Sequence, residues 1–128
     1  MTDATQLTLE EIHKYREQFK DYPEPLDALD LIAECDGDLE ESANLLLIEE
    51  GITELKSGES EDGNTLDKIA TNFRKIICED VFIDDLIGGL VPVAVTSLAM
   101  SGQIPIAIAT PGVIYVAKKG IKTWCNSH

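Results

Sequence analysis

From Leu86 to Ala117 the chain carries no Asp, Glu, Lys or Arg, a run of 32 uncharged residues in a sequence that is 27% charged. Such a tract lacks the groups that keep a surface solvated, so it must be covered by something. The charge is gathered elsewhere. Residues 1–65 hold 19 acids and 4 bases, a net of −15, while residues 66–128 hold 5 acids and 6 bases, a net of +1, which together make the chain's −14. The sequence therefore divides into an acidic front and an apolar back. What the back is buried against decides what the molecule can do.

The tract contains an internal repeat. Val91-Pro92-Val93-Ala94-Val95-Thr96-Ser97 is echoed by Ile104-Pro105-Ile106-Ala107-Ile108-Ala109-Thr110. Two readings stay open for residues 91–110. Alternating β-branched residues suit a strand hairpin turning at 100–103. A proline early in each copy suits the start of a helix and would cost a ladder bond inside a sheet. The helical reading is favoured: one helix from Pro92 to Met100, a turn at Ser101-Gly102, and a second helix from Ile104 or Pro111 to Trp124, kinked at Pro111-Gly112. Ahead of it, Leu66, Ile69, Ala70, Phe73, Ile76 and Ile77 form one amphipathic stripe, which predicts a fourth helix starting after Asn64 or Thr65.

The front half predicts three short helices. Thr8 and Glu11 have the spacing of a capping box, with Leu9, Ile12, Tyr15 and Phe19 inward. Pro23 and Pro25 are expected to stop that helix. A second helix is expected from Leu26 to Cys35. A third begins after an Asp38 cap, buries Leu39, Ser42, Ala43, Leu46 and Leu47, and ends at Gly51. Residues 51–64 combine Gly and Ser with Glu54, Glu59, Glu61 and Asp62, and read as a flexible acidic linker.

Residues 8–50 resemble the ubiquitin-associated-like three-helix domain, a family that includes the amino-terminal domain of elongation factor Ts and the nascent-chain-associated complex. The resemblance rests on Tyr22-Pro23, Leu26, Ala28-Leu29, Ile32, Gly37-Asp38, Ser42-Ala43 and Leu46-Leu47. It implies a three-helix bundle with Tyr22, Pro23, Leu46 and Leu47 at a partner-binding edge, although packing alone places Leu46 and Leu47 in the core. Where ubiquitin binders carry Met-Gly before the aromatic residue, this chain has Lys20-Asp21. The resemblance thus carries the fold further than it carries ubiquitin as partner.

Chemistry-bearing motifs are sparse. Asp36-x-Asp38-x-Glu40 lacks the glycine and the final glutamate of a calcium loop, since Glu41 and Leu47 stand there. Asp80 and Asp84 lie one helical turn apart without a histidine, and read as a solvated face. His13 sits among charged residues, His128 is terminal, and no Cys–His spacing supports a nucleophilic dyad or a zinc site. Cys35, Cys78 and Cys125 are widely spaced and odd in number, so they are expected to be reduced thiols; Cys125 near Lys122 is the better candidate for a reactive one, but a buried or idle cysteine is the favoured reading. No apolar leader precedes a cleavage site, and a cytoplasmic location is expected. Acidity argues against nucleic-acid binding. The expectation is an all-α, non-catalytic protein–protein adaptor without cofactor or metal. Its front module (8–50) would recognise a protein partner, and its back unit (65–125) would self-associate or dock. The runner-up is a membrane-associated protein with a helical hairpin at 86–117.

Overall fold

The computed structural model describes residues 5–52 and 65–127, with the side chain of Ser127 left aside. The expected linker at 51–64 therefore lies almost wholly outside the described residues. Among the described residues nine helices follow one another: α1 (Leu9–Gln18), α2 (Pro23–Glu34), α3 (Leu39–Glu50), α4 (Thr65–Asn72), α5 (Arg74–Ile77), α6 (Asp80–Ile87), α7 (Val91–Gly102), α8 (Ile106–Lys119) and α9 (Ile121–Ser127). The protein is all-α. Among the described residues the extended pairing is a single bridge, Gln6 to Asp38.

Local chemistry sets the front helices. The Thr8 hydroxyl accepts from the Glu11 amide at 3.1 Å, and the Thr8 amide donates to the Glu11 carboxylate at 2.9 Å. This is the expected capping box. Leu7 just before the cap and Ile12 in the first turn are both 3% exposed, the positions of a hydrophobic staple. Leu9, expected to face inward, is 77% exposed, because Leu7 takes its place under α1. Asp38 caps α3 through the Glu41 amide at 3.0 Å. Gly37 has φ +83°, and a Cβ there would sit 2.1 Å from the Leu7 carbonyl oxygen, so the 36–39 turn closes on residues 5–7 only with glycine.

The start of α2 corrects the sequence reading. The two prolines do not precede the helix; Pro23 and Pro25 lie in its first turn. The first four amides of a helix have no intrahelical acceptor, so proline costs nothing there. Two further boundaries differ. The stripe at 66–77 is split at Phe73, whose backbone leaves the helical region between α4 and α5. The Phe73 ring packs where a Cβ on Gly102 would come within 3.0 Å of it, so the break seats that ring against α7. Residues 91–119 form the helical hairpin rather than strands, but its second helix runs through Pro111 and ends at Gly120, with φ +89°.

The uncharged tract is covered mainly by the chain itself. All residues from Ile108 to Val116 are buried. A helix that is apolar all round belongs in the middle of a protein, and α8 packs against α2, α3, α4, α7 and α9. Gly112 lets Ile69 of α4 approach to within 3.2 Å of where a Cβ would stand. The sequence leaves open whether the two halves touch. They share one core, with α8 between them. Polar ties follow the same seam. The Glu40 carboxylate accepts from the Thr65 and Leu66 amides at 2.8 and 3.2 Å, so α3 caps α4. No helix among the described residues is long and apolar enough to cross a membrane. At ~1.5 Å per residue, the 14 residues of α8 span about 21 Å, short of the ~30 Å hydrocarbon layer.

The expectation of three reduced thiols is overturned. Cys78, at the end of α5, and Cys125, in α9, form a disulfide with Cα atoms 5.7 Å apart. Spacing in sequence hides the pair because the two cysteines are 47 positions apart, and it is the Gly120 break after the hairpin that folds α9 back onto α6. Cys125 is thus not a reactive thiol, and Cys35 is the free cysteine among the described residues. With the pairing, the cysteine-based reason for a reducing compartment disappears.

Candidate functional site

Alpha2 carries Glu24, Asp27, Leu31 and Glu34 at i, i+3, i+7 and i+10, a single face of the helix. Alpha3 presents Leu46, Glu49 and Glu50 at i, i+3 and i+4. The two faces flank an open groove of about 340 Å³. Its floor is apolar: Ala28 and Leu31 from α2, Leu46 from α3 and Ala107 from the first turn of α8. Its walls are acidic. Asp30 also lines it, but Asp30 is paired with Arg16 of α1 at 2.9 Å. Among the described residues, no cation stands within salt-bridge distance of Glu24, Asp27, Glu34, Glu49 or Glu50. Neither α2 nor α3 places a basic residue in its last turn, where one would complement the helix dipole.

The front half is pinned to the back at its other end. Lys118, with a side chain only 8% exposed, donates to Glu11 at 3.0 Å and to the Gln6 carbonyl. Partial burial pushes the Glu11 carboxyl up, but the Thr8 amide and the Lys118 ammonium outweigh it and leave it below its ordinary value. Burial first, and then the Glu11 charge, push the Tyr15 phenol above its ordinary value. Tyr115 donates to Asp67 of α4, and Lys119 lies 5.3 Å from the centre of the Tyr115 ring. These groups are engaged with one another and tie α8 in place.

The four residues expected at a binding edge are separated by the fold. Tyr22 is 39% exposed and meets Phe19 edge-on, with ring centroids 6.4 Å apart. Pro23 beside it is exposed. Leu46 lines the groove floor, whereas Leu47 is fully buried in the core. Sequence reasoning missed the acidic walls and Ala107. The signal present was the acid stripe of α2 with Leu31 inside it. Nothing in the chain's order says that α8 completes the floor.

Two other depressions, one lined by Cys78 to Val81 and one by Glu10, Glu11, His13 and Lys14, are each bounded by one short run of chain and gather no groups from distant segments. No cluster of His, Cys, Asp or Glu among the described residues is arranged to hold a metal ion. Comparison with known proteins adds no relative: no protein-family model, curated protein or solved structure matches the chain.

Proposed function

We propose that the protein is a non-catalytic interaction protein whose acidic front recognises a partner protein with a basic surface. One observation carries this reading: five carboxylates without a cationic partner among the described residues line one open groove over an apolar floor. Like charges held side by side cost the free protein a few tenths of a kcal/mol per pair, and a basic partner relieves that cost. The net −15 of residues 1–65 adds long-range attraction, which speeds encounter and fades with salt. The ubiquitin-associated-like reading of residues 8–50 belongs to this proposal. It would place Tyr22 and Pro23, exposed at the start of α2, beside the partner.

The test is a titration of the full chain with a basic protein at a series of ionic strengths. Affinity is expected to fall steeply as salt rises from about 0.05 to 0.3 M, where the Debye length shrinks below ~10 Å. A salt-independent affinity for basic ligands, or none, refutes the reading.

A further inference from the structure

We infer that the groove between α2 and α3 receives a cationic amphipathic helix of the partner, with an aliphatic side chain on the floor and Lys or Arg side chains along both walls. The inference rests on the proposed recognition of a basic protein and names the part of that partner which docks.

The groove's chemistry selects the shape of its occupant. A bound peptide must satisfy its own backbone amides and carbonyls. A strand added by β-augmentation needs a sheet edge, and the walls here are helices. A polyproline segment needs aromatic side chains to lie between, and none lines the groove. An extended chain would therefore rest its unpaired backbone on Ala28, Leu31, Leu46 and Ala107. A helix brings its backbone bonds already made and offers only side chains.

The spacing fits as well. Glu24, Asp27 and Glu34 are spread over ten residues of α2, about 15 Å along the axis. A helix laid alongside meets them with bases at i, i+3 or i+4, and i+10 or i+11. Glu49 and Glu50 face its other flank. Ala28 and Ala107 are small, which leaves depth for a leucine-sized anchor between Leu31 and Leu46. Acid walls exclude an acidic partner, and a phosphate backbone for the same reason.

The probe is a synthetic amphipathic peptide of about 18 residues, Leu on one face and Lys on the other, titrated into the full chain. A scrambled peptide of the same composition, which cannot form one apolar face, serves as the control. The amphipathic peptide is expected to gain helicity on binding, to shift the amide resonances of Ala28, Leu31 and Ala107, and to bind more tightly than the control. Asp27→Lys with Glu34→Lys reverses one wall and is expected to weaken binding about tenfold or more. Glu79→Lys with Asp80→Lys makes the same change in net charge on α6 and its cap and is expected to cost less than about threefold. All four positions are exposed, and thermal melts verify the folds. Ala107→Phe fills the floor without changing charge and is expected to weaken binding as well. Equal losses from the two charge reversals, or resonance shifts away from the groove, overturn the groove as the site while leaving the basic-partner reading intact. Binding of the scrambled peptide as tightly, without gain of helix, overturns the helical occupant. Loss of all salt-dependent binding to basic ligands removes the parent reading too.

Discussion

Glu11 accepts from the Thr8 amide and from the Lys118 ammonium, so one carboxylate closes the cap of α1 and ties α1 to the end of α8. Its depressed titration has a sign. A carboxylate held below its unfolded value stabilises the fold above that unfolded value, and the contribution is lost as pH falls through the lower, folded value. Lys118→Met keeps the aliphatic stem and removes the donor. It is expected to cost about 1–2 kcal/mol at neutral pH, the scale of a charged hydrogen bond with one partner deleted. Urea unfolding at neutral pH and again below the ordinary carboxylate range checks this. The gap between wild type and variant should narrow at the acid end, because protonated Glu11 no longer attracts the ammonium. An unchanged gap would mean that the Lys118 ammonium acts through the Gln6 carbonyl alone. Tyr15 answers at the opposite end: its neutral phenol is favoured by the fold, so that contribution is lost as pH rises through its raised value.

Alpha9 is a short element, seven residues, anchored by Ile121 and Trp124 in the core, by the bond from Arg74 to the Cys125 carbonyl, and by the disulfide to Cys78. Isolated helices of this length are unstable, so tertiary anchors decide whether it forms. A cross-link over 47 residues is expected to contribute about 2–4 kcal/mol, mainly by restricting the unfolded chain. Reduction, or Cys78→Ser with Cys125→Ser, should lower the midpoint accordingly. Alkylation of the denatured, unreduced protein should label one cysteine, Cys35, and label three after reduction. Three labels before reduction would refute the pairing. The same scale shows what the sequence made legible. Helical periodicity and caps foretell α1, α3 and the hairpin, because those signals act within a turn or two of chain. Pro23 and Pro25 misled, since a proline stops a helix from behind but is welcome in the first turn ahead. The disulfide and the Phe73 break depend on contacts between positions far apart in the chain, Cys78 with Cys125 and Phe73 with Gly102, which no local pattern encodes. For the groove, Leu46 and the acid stripe were visible, and Ala107 was not.

At the scale of the molecule, α8 decides whether the chain is two units or one. Its buried run from Ile108 to Val116 packs against α2 and α3 on one side of the sequence and α4, α7 and α9 on the other. Removing either half would strip a face from the helix at the centre of the core. Unfolding is therefore expected in one transition. The only tryptophan, Trp124, is 2% exposed in α9 and reports the back, whereas far-ultraviolet ellipticity reports both halves. The two midpoints should coincide, and a segment ending at residue 52 should melt without cooperativity. The shared core also links the groove to the far end of the chain. A ligand that binds only the folded state adds about 2.7 kcal/mol of stability at a hundredfold excess over Kd. Because Ala107 of α8 forms part of the groove floor, a peptide seated there should raise the Trp124 midpoint as much as the ellipticity midpoint. Two independent units would give a different result: the ligand would lift the front transition and leave tryptophan behind. Separation of the two signals, with or without peptide, would divide the molecule at the seam that Glu40 and Lys118 bridge.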